Sequence, residues 1–422
     1  MSAAVSMEQA RHREAAYAAP LETLNPAQPA LFQADAMWPY FERLRREDPV
    51  HLTPESDFGP YWSITKFNDI VAVETNHQAF SSDYTRGGIT IAGGTSNFDP
   101  LPMFIAMDPP RHDVQRKAVS PAVAPPALAE MAPVIRQRAG GILDGLPIGK
   151  EFDWVDLVSK ELTAMTLATL FDAPQEDRRK ITHWSDVVTA VPKPGGLVET
   201  FEDKLRVFDD YNAYFVGLWN SKVNAPPHGD LISMLAHHPE TRHMEPREYF
   251  GNVVLLTVGG NDTTRNTITG SVYALNRNPQ QYAKLRANVD LIPSMVSETI
   301  RWQTPLAHMR RTAVEDVVLR GKTIRAGDKV VMWYVSGNRD DEVIERANDY
   351  IIDRERARHH VSFGFGIHRC VGNRLAELQL TIIWEEILKR FPEITVTAEP
   401  KRTYSTFVKG YESMKVVIPR QN

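Results

Sequence analysis

Apolar residues recur at helical spacing over much of the chain, and one long stretch keeps that pattern without an internal proline: residues 246–278, PREYFGNVVLLTVGGNDTTRNTITGSVYALNRN. Pro246 suits a first helical turn and Pro279 a stop, so the pattern predicts a single helix roughly 45 to 50 Å long at 1.5 Å per residue. Shorter amphipathic helices are predicted at 37–46 (MWPYFERLRR), ended by Asp48-Pro49, and at 68–76, 294–302 and 373–390. Between 133 and 235 the period is again helical, broken at Pro174, at 191–196 and at 225–229, with no repeat and no linker. Alternation predicts a strand at 61–64, and strands with turns across 304–334. The expectation is a mainly α protein with small β-sheets, in which residues 31–422 form a single domain.

Three segments depart from these patterns. Residues 1–30, rich in Ala, Pro and charge, predict a mobile or loosely docked arm. Residues 81–107 have no period but carry Ile89, Ile91, Phe98, Leu101 and Phe104, more apolar content than a disordered loop needs, so they predict a functional loop. In the middle of the long helix stand Gly259, Gly260, Asn261, Asp262, Thr263 and Thr264. Adjacent glycines there each cost about 1 kcal/mol relative to alanine, and small side chains open room beside the helix. The segment predicts an interrupted hydrogen-bond ladder. Because apolar runs flank it, Asp262 is expected to be buried and to need a partner or a task.

Composition narrows the chemistry. The net charge of −5 gives no reason to expect nucleic acid, and the single cysteine excludes an internal disulfide. No stretch approaches a spanning helix, and the N-terminus lacks the apolar core of a signal peptide, so a cytoplasmic protein without a membrane span is expected.

That cysteine, Cys370, lies in FGFGIHRCVG at 363–372, just before the predicted helix 373–390. A helix N-terminus stabilises a thiolate. From the residue alone the readings are an inert buried thiol, a nucleophile paired with His368, or a thiolate ligand to haem iron. The loop's Phe-Gly-x-Gly-x-His-x-Cys-x-Gly pattern resembles the haem-binding loop of the cytochrome P-450 superfamily at every position. Further segments resemble the same family in the same order: DPPRHDVQR at 108–116, GGNDTT at 259–264, ETIR at 298–301 and RTA at 311–313.

The resemblance implies one roughly triangular, α-rich body holding haem b. It implies Cys370 as the iron ligand, with Phe363 and Gly372 beside it. His112, Arg116, Arg311 and His368 are then the haem propionate partners, with Arg310 the competitor to Arg311. Thr263 is implied to hydrogen-bond the activated oxygen and Asp262 to relay protons to it. Glu298, Arg301 and Arg354 are implied to form a buried polar triad. Leu255, Val258, Gly259, Leu306, Ala307 and Phe407 are expected at the substrate pocket, roofed by the 81–107 loop.

The family's chemistry is hydroxylation of C–H bonds with O₂. No flavin or iron–sulfur motif occurs in the chain, so electrons are expected from a (2Fe-2S) ferredoxin and its NAD(P)H-dependent reductase, docking on Lys117, Arg358, Arg369 and Arg374. Within the family, LLTVGGNDTTRN and ETIRWQTPLAHMRRTA are most similar to bacterial enzymes that hydroxylate the terminal carbon of medium-chain alkanes, alcohols or fatty acids. A compact terpenoid is the alternative substrate. A cysteine hydrolase or a haem sensor are more distant readings.

Overall fold

The long helix forms as Pro246–Arg277, and the rest of the chain is arranged about it in a computed structural model that describes residues 3–93 and 99–421. Phe98 of the expected roof loop lies outside the described residues. The helix packs against Glu161–Phe171, Arg178–Thr189, Ile292–Gln303 and Asn373–Arg390, and its side chains are buried along nearly its whole length. Its middle is not interrupted. The helix is unbroken through the glycines, and the Thr263 hydroxyl donates back to the Gly259 carbonyl at 3.1 Å, an acceptor within the same helix.

Beside this helical body stands a five-stranded sheet in the order Val50–Thr53, Tyr61–Ile64, Lys329–Trp333, His308–Ala313, Phe80–Ser81. Only Tyr61–Ile64 and Lys329–Trp333 run parallel. Alternation along Lys329–Trp333 sends Val330 and Met332 into one apolar cluster with Phe67 and Ile70, and Val331 and Trp333 into another with Phe32, Phe41 and Tyr61. The same alternation separates Arg310 from Arg311 on the neighbouring strand.

The N-terminal segment expected to be mobile or loosely docked is placed as a helix, Ala3–Ala18, lying on the helix Trp38–Glu47. Its attachment is largely polar, which is why no apolar period announces it. Arg43 donates to the carbonyls of Ala16 at 2.8 Å and Ala19 at 2.5 Å, groups a helix end leaves unpaired, and Arg13 pairs with Glu42 at 2.7 Å. Among the described residues no single helix is long and apolar enough to cross a membrane.

Candidate active site

The cysteine loop is shaped by a carboxylate from far away in the chain. Glu74, near the end of the helix Phe67–Thr75, is 2% exposed. One of its oxygens accepts the Phe365 N–H at 2.8 Å, and the other accepts the Tyr334 hydroxyl and the Arg311 guanidinium. Gly364 and Gly366 have φ of 65° and 66°, and a Cβ on Gly366 would overlap the Glu74 carbonyl. Glycine is required at both for backbone reasons. The Cys370 N–H then donates to the Phe363 carbonyl at 2.8 Å, closing the loop before the helix Asn373–Arg390 begins beyond Gly372. The Cys370 side chain is accessible. Burial pushes its thiol up, against the pull of the Gly372 N–H, Arg116 and Arg369.

Near Cys370 the structure brings together the cations predicted from separate motifs. His112 and His368 stand edge to face with ring centroids 4.3 Å apart. Nε2 of His112 and both ring nitrogens of His368 are buried without a hydrogen-bond partner. Burial lowers both imidazoles' pKa, and the nearby Arg116 and Arg311 lower them further. Arg311 is 2% exposed, and Arg116 donates to the Arg369 carbonyl at 2.5 Å. Arg310, the alternative, points elsewhere: it donates to the carbonyls of Arg86, Gly87 and Gly93 and so ties down the roof loop. Unpaired donors beside two guanidinium groups suit carboxylates.

A Cβ added to Gly372 or to Gly259 would meet nothing within 4 Å. Accessible sulfur, open glycines and the unpaired ring nitrogens of His368 and His112 Nε2 fit haem b: Cys370 would ligate the iron, and His112, Arg116, Arg311 and His368 would take the propionates.

On the central helix, Gly259 is exposed and Leu255, Leu256, Val258, Gly260 and Thr263 are half-buried, whereas Val254, Thr257, Asn261, Asp262 and Thr264 are buried. The face predicted to border substrate is therefore the open one. Leu306 and Phe407 are half-buried and pack on one sheet cluster. Ala307 is a correction: it is fully buried in the other cluster with Trp333 and Val335. Its N–H donates to the Phe407 carbonyl at 2.8 Å and its carbonyl accepts from Val335 at 3.2 Å, which holds it between two segments.

Asp262 is fully buried and turned toward the helix Arg178–Thr189. It accepts from Arg265 at 2.7 Å, Asn261 at 3.2 Å and Thr189 at 3.3 Å. Arg265 also pairs with Asp186, which Lys160 reaches at 3.0 Å nearer the surface. Burial, only partly offset by Arg265, pushes the Asp262 carboxyl up. Asp186 is held down by Arg265 and Lys160 although burial opposes it. The Ser185 side chain also acts to lower the Asp262 carboxyl, and Arg265 Nε lies buried without a hydrogen-bond partner.

The predicted polar triad is present. Glu298 accepts from Arg301 at 2.7 and 2.8 Å and from Arg354 at 3.1 and 3.3 Å, and Arg301 also donates to the carbonyls of Asn338, Ala347 and Asp349. Sequence reasoning did not name Glu74, Asp186 or Arg265. The one available signal was an acid or a base set among apolar helix positions.

Comparison with known proteins identifies the family. The cytochrome P450 family model matches residues 57–417. Linalool 8-monooxygenase of Pseudomonas putida is 34% identical over 401 residues, covering 92% of this chain and 97% of that protein. A methyl-branched lipid omega-hydroxylase of Mycobacterium tuberculosis is 32% identical, covering 89% and 90%. The structure of cytochrome P450-153 from Novosphingobium aromaticivorans superimposes with a TM-score of 0.87 at 43% identity, covering 94% of this chain and 99% of that one. The chain belongs to the cytochrome P450 family and is a monooxygenase that works with haem b and O₂.

Proposed function

We propose that this monooxygenase hydroxylates the terminal carbon of medium-chain alkanes, alcohols or fatty acids, with Cys370 as the residue that would hold the haem iron. The observation that carries the reading is the open stripe of the central helix. Leu255, Val258 and Gly259 offer apolar or small surface there, while the one acid of the segment, Asp262, is turned to the other side. A substrate seated on that stripe meets no charge from it, and an apolar channel that admits only a chain end favours attack at its last carbon. The sequence resemblance to terminal hydroxylases and the likeness to a lipid omega-hydroxylase support the same reading. The likeness to a linalool monooxygenase favours the second reading, a compact terpenoid.

Haem bound through a thiolate supplies an electron-rich iron at which O₂ is activated. The chain's own residues position and protonate. His112, Arg116, Arg311 and His368 hold the propionates. The Thr263 hydroxyl donates a hydrogen bond into the open stripe when it turns from Gly259, and Asp262 receives protons along Lys160 and Asp186 and passes them on. Electrons come from a cytoplasmic (2Fe-2S) ferredoxin, kept reduced by an NAD(P)H-dependent reductase. It docks where Lys117, Arg358, Arg369 and Arg374 are exposed on the cysteine side.

The test adds n-octane, a medium-chain fatty acid and a monoterpene alcohol in turn to the oxidised haem protein and follows the Soret band, then identifies products with a ferredoxin system. The expected result is a band shift with the linear chains and oxidation at their ends. A shift with the terpene alone overturns terminal hydroxylation in favour of the terpenoid reading.

A further inference from the structure

A cavity of about 210 Å³ shares no lining residue with the candidate active site. Its walls include the indoles of Trp38 and Trp302 and the ring of Tyr273, and three cations reach it: Arg339, Arg402 and Lys409. The Arg339 guanidinium lies 4.8 Å from the Trp38 ring centroid and 5.2 Å from that of Trp302. The Lys409 ammonium lies 5.5 and 5.8 Å from the same two rings. Two like charges are thus held over one pair of indoles, an arrangement that repels itself unless an anion joins it.

The local acids do not balance the set. Glu399 accepts from Arg402 at 2.7 Å and from the Tyr273 hydroxyl at 2.7 Å, so it is engaged. Asp35 accepts from the Trp38 indole at 2.8 Å and stands 3.6 Å from Arg402. Arg339 gives its terminal donors to the carbonyls of Trp302, Ala347 and Asn348. Lys409 gives one N–H to the Gln303 carbonyl at 2.8 Å and has no further acceptor among the described residues, although an ammonium carries three donors. Burial lowers the Lys409 pKa to about 7; Asp35 opposes that shift, while Arg339 and Arg402 add to it, so one carboxylate that already faces Arg402 is the acid acting on this amine.

We propose that this cavity is a second binding site, for a small ring-bearing organic carboxylate. The carboxylate accepts from Lys409, and the ring lies among Trp38, Trp302 and Tyr273. Charge alone is met by any anion; the aromatic walls select an anion with an apolar body. The bound ligand sits behind the turn that carries Phe407, because the Lys409 N–H donates to the Pro305 carbonyl at 2.8 Å and its carbonyl accepts from Gln303 at 2.9 Å.

Isothermal titration calorimetry on the haem-loaded full chain tests this with benzoate, and with benzyl alcohol as the neutral counterpart. One benzoate is expected to bind without moving the Soret band, and benzyl alcohol to bind at least about tenfold more weakly. Lys409→Met is expected to weaken benzoate by about tenfold or more. Asp35→Asn, which removes the competing charge and keeps an acceptor for Trp38, is expected to tighten it. The proposal is overturned by no benzoate binding to the wild type, by binding that moves the Soret band in step, or by equal affinities for benzoate and benzyl alcohol. Affinity unchanged in both variants overturns it as well, and the Asp35 variant decides should the Lys409 variant fail to fold.

Discussion

The two sides of the candidate active site are built on opposite terms. On the cysteine side the acids that support the loop are engaged, while the ring nitrogens of His368 are left open: Glu74 braces the loop, Glu298 holds Arg301 and Arg354, and Arg301 spends its remaining donors on backbone carbonyls. On the side of the central helix the chain leaves space. Gly259 is exposed, Thr263 is half-buried, and the Thr263 hydroxyl returns only to its own helix. Rigidity is concentrated around the cysteine loop, and room is kept along one stripe of the central helix. Buried networks that are fully satisfied fix one geometry, whereas small residues on a helix face fix only an absence of bulk.

The largest expected effect falls on the cysteine side. Cys370→Ser should abolish the thiolate-type spectrum of the reduced CO complex and reduce monooxygenation to background, even in protein that still carries haem. Glu298→Gln should come next. It leaves Arg301 and Arg354 short of their counter-charge in a buried setting, a loss of about 3–5 kcal/mol that urea unfolding and haem retention would record.

A paired experiment addresses the contrast directly. Gly366→Ala forces a side chain against the Glu74 backbone at positive φ and should cost about 1–3 kcal/mol, with poorer haem loading. Gly259→Ala meets open space inside a helix and should leave stability level or up to about 1 kcal/mol higher, while changing which substrates shift the Soret band. Equal costs for the two alanines would erase the distinction between the sides.

The smallest effect is a pH dependence. His360, buried beside Phe363, has its pKa lowered to about 3 by burial, with Arg301 and Arg369 adding to it. Above its ordinary pKa of 6.5 both folded and unfolded chains leave it neutral. As pH falls from 6.5 toward 3 the unfolded chain takes up a proton that the folded one refuses, so stability declines through that window. Between pH 7.5 and 6 the change is under about 1 kcal/mol, and His360→Gln should flatten that part of the denaturation profile.

What the sequence made legible was what it encodes within a short span. The cysteine loop, the Gly259–Thr264 segment and the Glu298–Arg301 spacing each lie within one turn or one loop, so residue type and interval carry the message. Arg354 was legible only through resemblance, and it does reach Glu298. The rest depends on contacts between distant segments. Glu74 reads as one acid in an apolar helix until Phe365 and Tyr334 arrive beside it. The pairing of Asp262 with Arg265 follows helical spacing, but the contribution of Asp186 comes from another helix. Ala307 was misplaced because its position is set by hydrogen bonds to Phe407 and Val335. Arg310 and Arg311 were hard to separate as neighbours in sequence, and the strand sends them to opposite faces.

The brace from Glu74 bears on how this enzyme can be recombined with its relatives. Glu74 and the Phe365 amide it holds are 291 positions apart. A chimera that takes its N-terminal part from one parent and its cysteine loop from another divides that contact between two histories. Gly364 and Gly366 are then glycines fitted to a neighbour that has been exchanged. Crossovers placed between residues 74 and 365 are therefore best chosen so that the acid and the loop come from the same parent.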